Sequence, residues 1–136
     1  MVHVLFWEKP GCAGNARQKA LLLASGHTLE VRSILSERWE ANELAAFFGA
    51  RPVSEWFNSS SPRIKSGEVR PELLNAQQAL ALMLADPLLI RRPLMEIDGR
   101  REAGFDDDRI DAWIGLARRA TPMGDTCIRE RGQGSR

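Results

Sequence analysis

At 136 residues, with 43% hydrophobic and 27% charged side chains, the chain is long enough for one domain with a real core and too short for two. Nineteen Lys and Arg against 18 Asp and Glu leave no net field to draw nucleic acid or an anionic membrane surface. No apolar run approaches the ~20 residues of a membrane span, no signal-peptide pattern opens the chain, and two cysteines form neither a disulfide framework nor a four-ligand zinc site. A cytoplasmic protein with a free, reactive thiol is expected.

Taken in order, Val2-His3-Val4-Leu5-Phe6-Trp7 has the length and flanking turn signals of a buried strand. Behind Glu8-Lys9-Pro10-Gly11 a helix is predicted, with Ala13, Ala16, Ala20, Leu23 and Ala24 as its apolar stripe and Arg17, Gln18 and Lys19 largely outside it. Gly26 ends that helix, and Thr28 to Arg32 alternates as a second strand, completing a β-α-β unit with parallel strands. From about residue 36 to 87 strand patterns give way to a helical insertion. Ala41, Leu44, Ala45, Phe47 and Phe48 have helical spacing, Asn58 to Pro62 is a polar loop, and Leu73 to Leu84 suits a helix wedged between layers.

Leu88 to Ile97 then runs into Asp98-Gly99, a two-residue hairpin signal, and Arg100 to Ala103 returns as the partner strand. Asp106-Asp107-Asp108 caps a last helix whose apolar face is Ile110, Trp113, Ile114 and Ala117. The order β-α-β, helical insertion, β-β-α is the thioredoxin topology. It predicts an α/β domain over residues 1–118 with a mixed four-stranded sheet, followed by a flexible tail over 119–136.

Cys12 stands where the first strand turns into the first helix. Unpaired N–H groups and the positive dipole end at a helix start stabilise a thiolate, so Cys12 is the candidate nucleophile. Gly11 and Asn15 belong to the same corner. The alternative is a small semi-buried side chain without chemistry. Position 15, where a Cys-x-x-Cys motif would carry its second thiol, holds Asn15, so a redox cycle needs an external thiol or a distant cysteine. Cys127 in the tail is the internal candidate for a resolving thiol, on reach alone. His3 and His27 lack partners at metal-ligand spacing, and no metal site is expected.

Trp7-Glu8-Lys9-Pro10-Gly11-Cys12, Asp86-Pro87-Leu88-Leu89-Ile90-Arg91-Arg92-Pro93 and Gly104-Phe105 together resemble the ArsC/Spx family over residues 1–118. With Asn15, Arg17, Gln18, Arg51-Pro52-Val53 and Glu55-Trp56-Phe57-Asn58, the chain is most similar to the branch called nitrogenase-associated proteins. The resemblance implies a thioredoxin-like fold with a helical insertion. In the family's enzymes it implies a cysteine at the position of Cys12 that attacks arsenate and is resolved by glutathione and glutaredoxin. It also implies a cis bond before Pro93, shaping a groove for thiol substrates. Arsenate reductases of the family hold the oxyanion with three arginines. Here Arg92 has the clear counterpart, while Asn58 and Gly104 stand at the places of the other two, which weakens the case for arsenate.

Strand alternation predicts that one of Arg91 and Arg92 faces the cysteine and the other does not. Two functions of different class follow from the sequence. The first is a glutathione- or glutaredoxin-linked thiol oxidoreductase using Cys12, with glutathione as co-substrate, no bound cofactor, and nitrogen fixation as its setting by resemblance. The second is a non-catalytic module that binds a protein partner through Phe47, Phe48, Trp56 and Phe57 of the insertion.

Overall fold

The computed structural model describes residues 1–117. Its sheet has the order β2-β1-β3-β4, built from β1 (His3–Glu8), β2 (Thr28–Ser33), β3 (Leu94–Ile97) and β4 (Arg100–Ala103). β1 and β2 are parallel, and both β1–β3 and β3–β4 are antiparallel. The crossover between the parallel strands is α1 (Ala13–Ala24), released by Gly26 at φ +91°. In the β3–β4 hairpin Asp98 and Gly99 take φ values of 51° and 82°, the two positive angles that an Asp-Gly turn of this length requires.

Alternation along β1 divides the core. Val4 and Phe6 pack on one face with Leu21, Leu22, Met95 and Ile110, beneath α1 and α5 (Asp107–Ile114). Trp7 packs on the other face, against the insertion. There α2 (Ala41–Ala46), α3 (Pro62–Lys65), α4 (Ala76–Ala85) and three short 3-10 turns wrap Leu44, Phe47, Phe48 and Met83 into a second core. Phe48 stacks on Trp56 with ring centroids 4.8 Å apart, and Trp7 meets Phe47 edge-on at 5.3 Å.

Three helical or strand expectations change. The buried face of α1 is Gly14, Asn15, Gln18, Leu21 and Leu22, whereas Leu23 is 56% exposed. Two fully buried polar residues, Asn15 and Gln18, occupy the face that an apolar stripe was expected to fill. α4 begins only at Ala76, where Asn75 and Gln78 form a reciprocal capping box; Leu73 lies in a separate 3-10 turn and is exposed. β3 is short because Pro87–Leu89 turns as a 3-10 helix and Pro93 lacks the N–H a ladder needs.

Phe47, Phe48, Trp56 and Phe57 are all buried, so a docking surface made of those rings is not what the insertion presents. Among the described residues no helix is long and apolar enough to cross a membrane.

Candidate active site at the first strand-to-helix corner

Gly11 sits at φ +86°, a left-handed conformation that a glycine adopts without a Cβ penalty, and the Cys12 N–H donates to Lys9 O at 3.1 Å. This turn delivers Cys12 to the N-cap of α1 in an extended conformation. Its Sγ accepts the Asn15 backbone N–H at 3.4 Å and is largely buried. In a thiolate that N–H and the helix dipole would both favour the charge. In this structure Cys12 is disulfide-bonded and the described residues contain no free cysteine, contrary to the free thiol expected from sequence. Cys127 lies outside the described residues.

Asn15 has a second task. Its Oδ1 accepts the Lys9 N–H at 3.0 Å, and its Nδ2 donates to Gln18 Oε1 at 2.8 Å. Its backbone thus serves the sulfur while its side chain ties the loop to the helix. From sequence Gln18 stands outside the apolar stripe and among the residues that carry the family resemblance, without a site role; the signal for its pairing is its position one helical turn after Asn15.

The sheet register carries the remaining residues to this end of the molecule. Trp7 pairs with Leu94 and Leu94 pairs with Ala103, so the loops after β1, before β3 and after β4 emerge together. Arg92-Pro93 is a cis peptide bond, and Pro93 O accepts the Gly104 N–H at 2.8 Å. Segment 56–58 runs beside 89–91: Asn58 N–H donates to Leu89 O at 2.8 Å and Arg91 N–H to Trp56 O at 3.0 Å.

Between these segments lies an open cavity of about 280 Å3, lined by Ser54, Glu55, Phe57, Asn58, Ser59, Ser60, Arg91 and Arg92. Cys12 is not in this lining; it sits on the neighbouring loop. Arg91 and Arg92 both line the cavity. Strand alternation does not govern them, because they precede β3 in an irregular stretch bent by the cis bond.

Arg92 is 8% exposed; its Nε is buried without a hydrogen-bond acceptor, while the residue takes part in other interactions. Asn58 lines the cavity, and its Oδ1 accepts the Ser60 N–H at 3.1 Å, so its side chain also shapes the 58–61 turn. Gly104 belongs to the same end at φ +82°.

His27 is explained by structure. Its Nδ1 accepts the Val2 N–H at 3.2 Å, which leaves Nε2 as the protonated nitrogen donating to Gly115 O at 2.8 Å. It thereby links the start of β1 to the end of α5.

A cysteine capping the first helix of a β-α-β unit, at the same sheet end as a cis-proline that leads into β3, defines a protein of thioredoxin-like fold. The chain belongs to the ArsC family, whose profile matches residues 12–113. It is 51% identical over 127 residues to a 15.7 kDa protein in the draG 3' region of Rhodospirillum rubrum, covering 93% of this chain and 89% of that one. Among solved structures it resembles an ArsC family related protein from Bacteroides fragilis, with TM-score 0.70 and 23% identity over 81% of this chain and 97% of the other. An arsenate reductase from Vibrio cholerae gives TM-score 0.66 and 21% identity over 80% and 95%. These two likenesses concern the fold.

Proposed function

We propose that the protein is a monothiol oxidoreductase working with glutathione or a glutaredoxin, with Cys12 as the nucleophile of its reduced form. The observation that carries this reading is the position of Cys12 Sγ at the α1 N-cap, on the Asn15 N–H, at the sheet end where cis Arg92-Pro93 enters β3. The Cys12 thiolate attacks one sulfur of a disulfide. A new S–S bond forms as the old one breaks, and the electron pair departs with the leaving thiolate. A glutathione thiolate then attacks the mixed disulfide and returns Cys12. Asn15 at the position of a second active-site thiol means that the resolving thiol comes from outside this corner, and in this reading it is glutathione. Gly11 allows the turn that presents the sulfur, and Arg92 supplies positive charge to the adjoining cavity wall.

The nitrogen-fixation setting rests on the resemblance to the nitrogenase-associated branch, and the draG-region relative is the comparison that bears on it. The experiment is to reduce the protein, remove the reductant, add oxidised glutathione and read the intact mass and the modified peptide. One glutathione on Cys12, removed by a glutaredoxin, is the expected result. An unmodified Cys12 under conditions that modify a control thiol would refute the proposal.

A further inference from the structure

The two outer strands of the sheet differ in kind. β4 is four residues long and ends in a buried alanine, whereas β2 has six residues, none of them buried. Among the described residues the sheet neighbour of β2 is β1, so the other side of β2 carries no ladder.

The ends of β2 show which backbone groups face that open side. Thr28 N–H donates to Val2 O at 3.0 Å and Ile34 N–H to Glu8 O at 2.8 Å, so the even-numbered residues turn their N–H and C=O groups toward β1. By alternation Leu29, Val31 and Ser33 turn theirs outward. The side chains sort in the same way. Glu30 and Arg32 pair with Leu5 and Trp7 and stand together on the insertion side of the sheet, while Val31 pairs with Phe6 and stands on the other.

This pattern is complementary to itself. When β2 meets β2 of a second molecule in antiparallel fashion about a twofold axis at Val31, Leu29 lies opposite Ser33 and Glu30 lies opposite Arg32. The outward groups of Leu29, Val31 and Ser33 then form the ladder, and the opposite charges fall at the non-hydrogen-bonded positions, where side chains come closest. An axis at Glu30 or Arg32 instead sets like charges against each other. Within one chain Arg32 Nε donates to Glu30 at 2.9 Å, but the two side chains are 43% and 48% exposed, and an ion pair so exposed contributes little that pairing across the strands does not return. Strands that avoid partners carry proline, lysine or a bulge; β2 has no proline or lysine and pairs with β1 over six consecutive residues.

We propose that the outer edge of β2 is a homodimer interface, at which two copies of this chain join antiparallel about Val31 into one eight-stranded sheet. Since β1 and β2 are parallel, the two Cys12 corners then lie at opposite ends of the joined sheet. The interface therefore does not depend on the oxidoreductase reading.

The test is sedimentation velocity on the full chain under reducing conditions, so that no intermolecular disulfide contributes, from about 10 µM to about 1 mM, a range that reaches the weak association expected of one strand pair. The sedimentation coefficient should rise with concentration toward that of a dimer. Glu30→Arg and Arg32→Glu should each weaken dimerisation about tenfold or more, because each replaces two opposite-charge pairs by two like-charge pairs. The double variant should recover it, since the charges are only exchanged across the strands. Amide exchange follows the same equilibrium residue by residue. Leu29, Val31 and Ser33 should slow as concentration rises, while Glu30 and Arg32, whose N–H groups face β1, should stay protected throughout and report that each variant is folded.

A monomer over the whole range would overturn the proposal. So would a dimer that the single charge reversals leave unchanged, or one that the double variant does not recover. Slow exchange at Leu29, Val31 and Ser33 that is independent of concentration would place another segment of the same chain on the edge, and would overturn it as well.

Discussion

The backbone N–H of Asn15 reaches Cys12 Sγ at 3.4 Å, while the Asn15 side chain holds the Lys9 N–H at 3.0 Å, so one residue both faces the sulfur and closes the loop that carries it. Asn15→Ala keeps the backbone donor but removes the acceptor of the Lys9 N–H and the donor to Gln18 Oε1. Leaving buried partners unsatisfied costs about 1–3 kcal/mol. Urea unfolding should show a loss in that range, and the Cys12 backbone should lose protection from hydrogen exchange. Unchanged stability would mean that the side chain does not hold the corner.

The aromatic residues of the insertion should behave as core. Phe48 is 1% exposed and stacks on Trp56, so Phe48→Ala should cost about 3–5 kcal/mol. That is a large part of the ~5–15 kcal/mol by which domains are ordinarily stable. A Phe48→Ala protein with native stability and weakened capture of a protein partner would restore the docking role for these rings.

Leu22 and Leu23 separate the two readings of α1. Leu22 is fully buried and Leu23 is mostly exposed, so Leu22→Ala should cost about 2–5 kcal/mol and Leu23→Ala should stay within about 0.5 kcal/mol. Thermal or chemical unfolding of the two variants side by side decides it.

The buried face of α1 departs from the apolar stripe for a chemical reason. Apolar spacing along 13–24 picks out Ala13, Ala16, Ala20 and Leu23, but the helix turns Asn15 and Gln18 inward because they bond to each other and to the cysteine loop. Periodicity treats such polar residues as surface, and only the partners they find in the fold make them core. The strand-turn-helix corner at Gly11-Cys12 and the Asp98-Gly99 hairpin were legible because local backbone preferences decide both.

The cis bond at Arg92-Pro93 was legible only through resemblance, since an X-Pro sequence by itself favours trans. That Arg91 and Arg92 both line one cavity was not legible. It depends on an irregular stretch and on the space over Gly104, which no pattern within residues 88–97 encodes.

His27→Ala should loosen both ends of the described chain. It removes the acceptor of the Val2 N–H and the donor to Gly115 O. Amide exchange should speed at Val2 and at the end of α5, with a stability loss of about 1–3 kcal/mol for the bonds and packing removed. Exchange confined to one of the two sites would show that His27 does not couple them.

The most direct test of the central claim is the pH dependence of alkylation at Cys12 in the fully reduced protein, resolved by peptide mass spectrometry against a free cysteine peptide in the same sample. An ordinary thiol titrates near ~8.5. A thiolate held by the α1 N-terminus and the Asn15 N–H should show a midpoint at least about one pH unit below that of the peptide. A midpoint equal to or above the peptide's would contradict the assignment of Cys12 as a nucleophile.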